Sequence, residues 1–320
     1  MAGTTDFVAA QAVNRRNTIV LLVVLTLLAA VTGYVVGWLF EGEVTDNVPL
    51  VSQAGVVAAA VMAAASVGWS MIALATGDRL VLAMAEAKEI QKVDAPQLYN
   101  VVEEMSLASG VPMPKVMVLE TEALNAFATG STVGHGTIVV TRGLLDKLSR
   151  DELQGVVAHE MAHLANLDTR YMVMVGVTVG LIALVCDMLL RGFGWGMFSD
   201  TRRSGDEKGR GGSGGLLIVL LIVVAVLAPF AAKAVQMAVS RQREYLADAT
   251  SVQFTRNPNG LISALGKLAD AAAPFPGVSR ATQHLFIVNP VQTFTADSSA
   301  LLATHPDVAD RIARLRNLGA

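Results

Sequence analysis

Charge is scarce in this sequence. Lys, Arg, Asp and Glu make up 16% of its 320 residues, against about 25% in an ordinary soluble domain. Hydrophobic residues make up 53%, and the mean hydropathy is +0.51. This balance excludes a chain built like a typical soluble domain throughout. It calls for membrane spans or an unusually large core. A net charge of −3 leaves no basic field, so no nucleic-acid partner is expected. Cysteine is almost absent: the single Cys186 excludes an internal disulfide, lies in an apolar run and reads as a small buried hydrophobe. Nothing here requires an oxidising compartment.

Long apolar runs are what the sequence does have. Residues 18–40 carry no charge, and as a helix they would extend roughly 34 Å, enough for a hydrocarbon core of about 30 Å. The run is too long for the apolar core of a signal peptide and lacks a convincing small-residue cleavage site after it. A second run, Leu50 to Ala75, is rich in Ala, Val and Gly, which suits close helix packing within a bilayer. Arg15 and Arg16 precede the first run, Arg79 and Lys88 follow the second, and an acidic connector lies between them. The bias of basic residues towards the inner side puts the N-terminus and the segment after residue 76 in the cytoplasm. Two further runs, Tyr171 to Leu190 and Leu216 to Ala232, flank a Gly-, Ser- and charge-rich loop. The expected organisation is a membrane region at 1–76, a soluble-looking domain at 77–170, two apolar helices with their loop at 171–235, and the rest of the domain at 236–320.

Between the runs the pattern is mixed. Residues 96–110 have helical spacing, while 115–120, 124–129 and 136–141 read as strands. Ser149 and Glu152 form an S-x-x-E capping box ahead of a helix,. That helix carries His159-Glu160-Met161-Ala162-His163. An H-E-x-x-H pattern arises by chance roughly 0.003 times in a chain of this length and composition, so coincidence explains it poorly. On a helix the two histidines share a face and reach one Zn²⁺, and Glu160 sits beside the first of them to take a proton from the attacking water. A catalytic zinc needs a third protein ligand and an open position. His135, His284 and His305 are available, as is Glu244, four residues before Asp248 on a helical pattern. Of that acidic pair, one can bind metal and the other hold a ligand imidazole. Spacing alone also fits a solvated helix face.

The succession of these features resembles the HtpX family of membrane-bound zinc endopeptidases, related to the CAAX prenyl endopeptidases. The matching features are two N-terminal spans, Asn125-Ala126-Phe127-Ala128, the H-E-x-x-H helix, two more apolar runs, Glu244 to Asp248, and Thr304-His305-Pro306 with Arg311. The resemblance implies an α+β, mainly helical fold: a zincin-like domain with a small β-sheet, attached to two to four transmembrane helices. It implies one Zn²⁺ per subunit, with Glu244 as third ligand and Asp248 orienting a ligand histidine. It implies that Asn125, Ala126, Phe127 and Ala128 bind polypeptide substrate by β-addition, and that His305 and Arg311 stabilise the oxyanion. It further implies a site at the cytoplasmic face of a bacterial inner membrane, acting on unfolded or damaged membrane proteins under stress.

For His163 and Glu244 to meet one metal, the chain between them must cross the bilayer an even number of times or form a shallow hairpin. Asp187 within the third run, and a net-basic loop after it, weigh against a simple crossing. A peptidase of prenylated peptides would need more spans than four candidate runs supply. The rival from another class, a membrane protein with a structural zinc site, would leave Glu160 without a task.

Overall fold

The structure, a computed structural model of the chain, describes residues 7–45, 51–175, 241–271 and 306–318. Cys186, Asp187, His284, His305, the Gly-rich loop and most of the third and all of the fourth apolar run lie outside the described residues. The chain divides into two compact units: Thr18–Ala73 with Val177–Ala234, and Met1–Asn17 with Leu74–Gly176 and Val235–Ala320.

Within the described residues the first unit is a pair of helices, drawn from α1 (Phe7–Thr45) and α2 (Gln53–Ala85). Stretches of 28 and 31 residues, Gln11–Trp38 and Gln53–Ala83, are long and apolar enough to cross a membrane. Their large side chains, Ile19, Leu27 and Val31 on α1 and Val57, Val61 and Met71 on α2, stay exposed. Such a surface suits lipid rather than water. The helices approach closely at Gly33 and Gly37. A Cβ on Gly37 would lie 2.5 Å from the Ala54 carbonyl oxygen, and one on Gly33 would lie 2.6 Å from that of Ala58. This is the small-x-x-x-small contact that lets backbones pack in a bilayer.

The second unit is mainly helical around a four-stranded mixed sheet. Its elements are β1 (Lys88–Glu89), α3 (Pro96–Ser109), β2 (Lys115–Leu119), β3 (Ala126–Thr129), β4 (Thr137–Thr141), α4 (Arg142–Lys147), α5 (Arg150–Ala165), α6 (Arg241–Thr255), α7 (Pro258–Asp270) and α8 (Val308–Leu318). Residues 168–175 are also helical. The strand order is β1-β2-β4-β3, with β2 and β4 parallel and both outer strands antiparallel to their neighbours. Alternation along the strands covers both faces. Val116, Val118, Ala126, Ala128, Ile138 and Val140 face the main core with α3, α5 and α7. On the other side Leu119, Phe127 and Val139 pack with Met172 and with Val81, Leu82 and Ala85 at the end of α2. α2 therefore outlasts the apolar run read from the sequence by a whole segment, because its last turns cover the sheet.

Helix α5 crosses the core and is buried from Gly155 to Ala165. Gly155 lets α7 approach: a Cβ there would lie 2.5 Å from the Leu261 amide nitrogen. The expected capping box is present at its start. Glu152 accepts from the Ser149 amide at 2.7 Å, from Ser263 Oγ at 2.6 Å and from Lys267 Nζ at 2.7 Å, which ties the cap to α7. Burial pushes the Glu152 carboxyl up, but Lys267, Ser263 and Ser149 outweigh it and hold it at about 2. A depressed carboxyl stabilises the fold fully above its ordinary value near 4.5, and that contribution disappears as pH falls from 4.5 towards 2,. Glu152→Gln is expected to cost about 1–3 kcal/mol at neutral pH, discounted because Lys267 is half-exposed. Chemical denaturation of both proteins across that pH window checks it: the gap should close as the pH drops.

Candidate metal centre

The middle of α5 presents His159, Glu160 and His163, all buried. The two imidazoles stand edge to face, with an interplanar angle of 88° and ring centroids 4.7 Å apart. Their Nε2 atoms are 3.2 Å apart. Helix α6 brings Glu244 to the same point, with Oε2 3.6 Å from His159 Nε2 and Oε1 3.8 Å from His163 Nε2. Donors bound tetrahedrally to zinc at 2.0–2.1 Å stand about 3.3 Å from one another. The three side chains thus form a buried group that could hold one metal ion, each offering one ligand atom within 4.8 Å of the others.

The far sides of the rings are fixed by carboxylates. His159 Nδ1 lies 3.0 Å from Asp248 Oδ1, and His163 Nδ1 lies 2.9 Å from Asp168 Oδ2. An Nδ1–H donated to a carboxylate leaves Nε2 with a lone pair. Two such lone pairs and a carboxylate at this separation repel unless a cation lies among them. Protons alone report the same preference: burial and Arg311 push His159 down, yet its hydrogen bonds to Asp248 and Glu244 outweigh them and raise it to about 9.

Arg311, on α8, is fully buried behind this group. Its Nε and Nη2 donate to the two Asp248 oxygens at 2.9 and 2.6 Å, and Nη1 lies 3.6 Å from Glu244 Oε2. Nη2 also stands 3.4 Å from the nitrogens of His159. Burial would discharge the guanidinium, but Asp248 and Glu244 outweigh that and keep it cationic. Burial likewise pushes Asp248 up, and Arg311 with His159 outweighs it and holds it below the usual carboxylate range.

Glu160 lies between α5 and the sheet. Burial raises its carboxyl above the usual range, His159 and His163 offset this in part, and the Ala128 backbone N–H donates to it. Ala128 belongs to β3, the edge strand. Asn125 C=O accepts from Thr141 N–H, so antiparallel alternation turns the backbone groups of Ala126 and Ala128 away from β4, to a side where no strand pairs among the described residues,. The Ala126 N–H is taken by Asn125 Oδ1 at 3.0 Å. Phe127 points away, into the core against α2.

The structure thus brings His159, Glu160, His163, Glu244, Asp248 and Arg311 together and sets Ala128 beside Glu160, with Asn125, Ala126 and Phe127 just before it along the chain. His305 is outside the described residues. Asp168 is a further anchor; its place just after the H-E-x-x-H helix fits a hydrogen-bonding partner of the ligands and a helix-end residue equally, and the structure puts it on His163. Its signal was a carboxylate five residues after the second histidine, just past the end of α5.

A helix bearing H-E-x-x-H whose imidazoles meet a carboxylate from a second helix defines a metallopeptidase centre. The model of peptidase family M48 matches residues 91–319, and the chain belongs to that family. A protein named "Protease HtpX homolog" from Thermoanaerobacter pseudethanolicus is 38% identical over 308 residues, 96% of each chain. One of the same name from Dictyoglomus thermophilum is 38% identical over 313 residues, covering 98% of this chain and 95% of that one. Another, from Lactiplantibacillus plantarum, is 39% identical over 309 residues, covering 95% and 97%. The crystal structure of S. mikatae Ste24p is similar over 77% of this chain and 57% of that one, with a TM-score of 0.45 and 20% identity. The chain is a membrane metalloprotease by family, with two candidate spans.

Proposed function

We propose that this chain is a zinc-dependent endopeptidase that hydrolyses peptide bonds in unfolded or damaged membrane proteins, for quality control in a bacterial inner membrane. One observation carries the reading: two imidazole Nε2 atoms and the Glu244 carboxylate converge, while Asp248 and Asp168 secure the opposite ring nitrogens. In it, His159, His163 and Glu244 hold one zinc per subunit. Zinc, when bound, supplies a Lewis acid that polarises the scissile carbonyl and acidifies water.

Glu160 is the general base. Its raised carboxyl takes a proton from the attacking water and delivers it to the leaving amine as the C–N bond breaks, so water's oxygen ends on the new carboxylate. Strand β3 receives an extended substrate along its open edge through the carbonyls of Ala126 and Ala128, with Asn125 at the strand's start and Phe127 fixing the strand from behind. Arg311, hydrogen-bonded to Asp248, holds that carboxylate on His159, and Arg311 together with His305 is the pair proposed to stabilise the oxyanion. The basic residues flanking the spans support a site facing the cytoplasm. A domain formed by residues 77–170 and 236–320, with 1–76 and 171–235 as its membrane parts, fits the same reading. Three converging ligands among the described residues, beside a buried carboxylate, favour catalysis over a structural site, which usually fills four positions with protein ligands,.

The test is cleavage of casein, an unfolded protein, by the detergent-purified chain. Cleavage should stop on chelation and return with zinc. Cleavage that continues in a chain shown to be metal-free would remove the proposal.

A further inference from the structure

Asp168, which anchors His163, is itself held from an unexpected quarter. Its Oδ2 faces His163 Nδ1 at 2.9 Å, and its Oδ1 accepts from Nδ2 of Asn14 at 2.6 Å, a residue 154 positions earlier. The same Asn14 nitrogen donates to the Asn166 carbonyl at 2.9 Å. One turn earlier on α1, Gln11 Nε2 donates to the Ala165 carbonyl at 2.7 Å. Both carbonyls belong to the C-terminal end of α5, where a helix has run out of its own N–H partners. The beginning of α1 therefore closes the end of the H-E-x-x-H helix.

Asn14 and Asp168 are 5% and 0% exposed. Burying an amide costs free energy unless its hydrogen bonds are made, and asparagine is a modest helix former. The two amide hydrogens match two acceptors, one on the backbone beyond α5 and one on Asp168. With Oδ1 held by Asn14 and Oδ2 at His163, the carboxylate cannot turn. If it turned, the Nδ1–H would follow, and the Nε2 lone pair would swing off the point it shares with His159 and Glu244.

We infer that Asn14 is a positioning residue of the metal centre, acting through Asp168 to hold His163 in its ligating orientation. The inference rests on the reading of His163 as a metal ligand. It makes the segment ahead of the first apolar run a working part of the site.

The experiment measures the rate of zinc transfer from the full-length, detergent-purified, zinc-loaded chain to a chromophoric chelator. The variants are Asn14→Leu, Asn14→Asp, Gln11→Leu, Asp168→Asn and the double Asn14→Leu/Asp168→Asn. Asn14→Leu should release zinc about tenfold faster than wild type, at the lower end for residues that orient ligands. Asn14→Asp, the same shape with a charge opposing Asp168, should release it at least as fast. Gln11→Leu removes a bond to the same helix end without touching Asp168. It should lower the melting temperature much as Asn14→Leu does, yet stay within about twofold of wild type in zinc release. The double variant should release zinc no faster than Asp168→Asn alone.

If Asn14→Leu does not fold, Asn14→Asp carries the same expectation. Zinc release from the Asn14 variants equal to that of Gln11→Leu would overturn the inference, as would effects at Asn14 and Asp168 that simply multiply. If wild type takes up no zinc, the proposed function falls and this inference with it. If wild type binds zinc tightly and the Asn14 variants match the control, only this inference falls.

Discussion

Glu160→Gln should lose peptidase activity by about 10³-fold or more while keeping its metal, because general-base catalysis contributes about 10²–10⁴-fold and no other carboxylate in the proposed centre is placed to substitute. The amide has the shape and hydrogen-bonding reach of the carboxylate but cannot accept the proton from water. Glu160 is not among the three converging donors, so metal content should be unchanged. Burial of this carboxylate is already unfavourable, as its raised protonation shows, so the variant should also be at least as stable as wild type. Casein cleavage, metal content and melting temperature on the same preparation check all three. An active Gln variant would place the base elsewhere.

Asp248→Ala should give the second large effect, on stability and metal affinity together. Asp248 accepts two hydrogen bonds from buried Arg311 and faces His159 Nδ1. Removing one partner of a buried ion pair leaves a charge uncompensated and costs about 3–5 kcal/mol. Loss of the ring's anchor should weaken metal binding about 10–100-fold. Arg311→Met in the Asp248→Ala background should recover part of the stability, since the stranded guanidinium goes, but none of the metal affinity. Denaturation under chelation separates the two quantities. Equal stability of Asp248→Ala and wild type would show that the pair does not hold the core as described.

The features legible in the sequence were those with a local pattern. Ser149 and Glu152 announced α5, the H-E-x-x-H spacing announced its face, and alternating residues announced β2, β3 and β4. β1 was not legible, because two exposed residues, Lys88 and Glu89, become a strand only by pairing with Met117 and Val118. The extent of the first two helices was misjudged for one reason. Apolar runs end at the first charges, at Arg16 and at Asp78, but both helices continue into the protease unit, where Asn14 meets Asp168 and Val81 meets the sheet. Asn14 escaped because a hydrogen bond across 154 residues leaves no periodicity to read, whereas Asp168, five residues after His163, fitted a partner of the ligands and a helix end equally. Glu244 and Asp248 lay between these extremes. Their spacing put them on one face, and only the fold shows that this face meets His159 and His163.

Zinc-edge X-ray absorption on the purified chain and on a Glu244→Ala variant decides whether His159, His163 and Glu244 hold one zinc. Wild type should show one zinc in a shell of two imidazole nitrogens and oxygen ligands, and the variant should lose the metal or its carboxylate oxygen. A zinc shell in Glu244→Ala identical to that of wild type, at the same stoichiometry, would contradict the assignment and require another ligand.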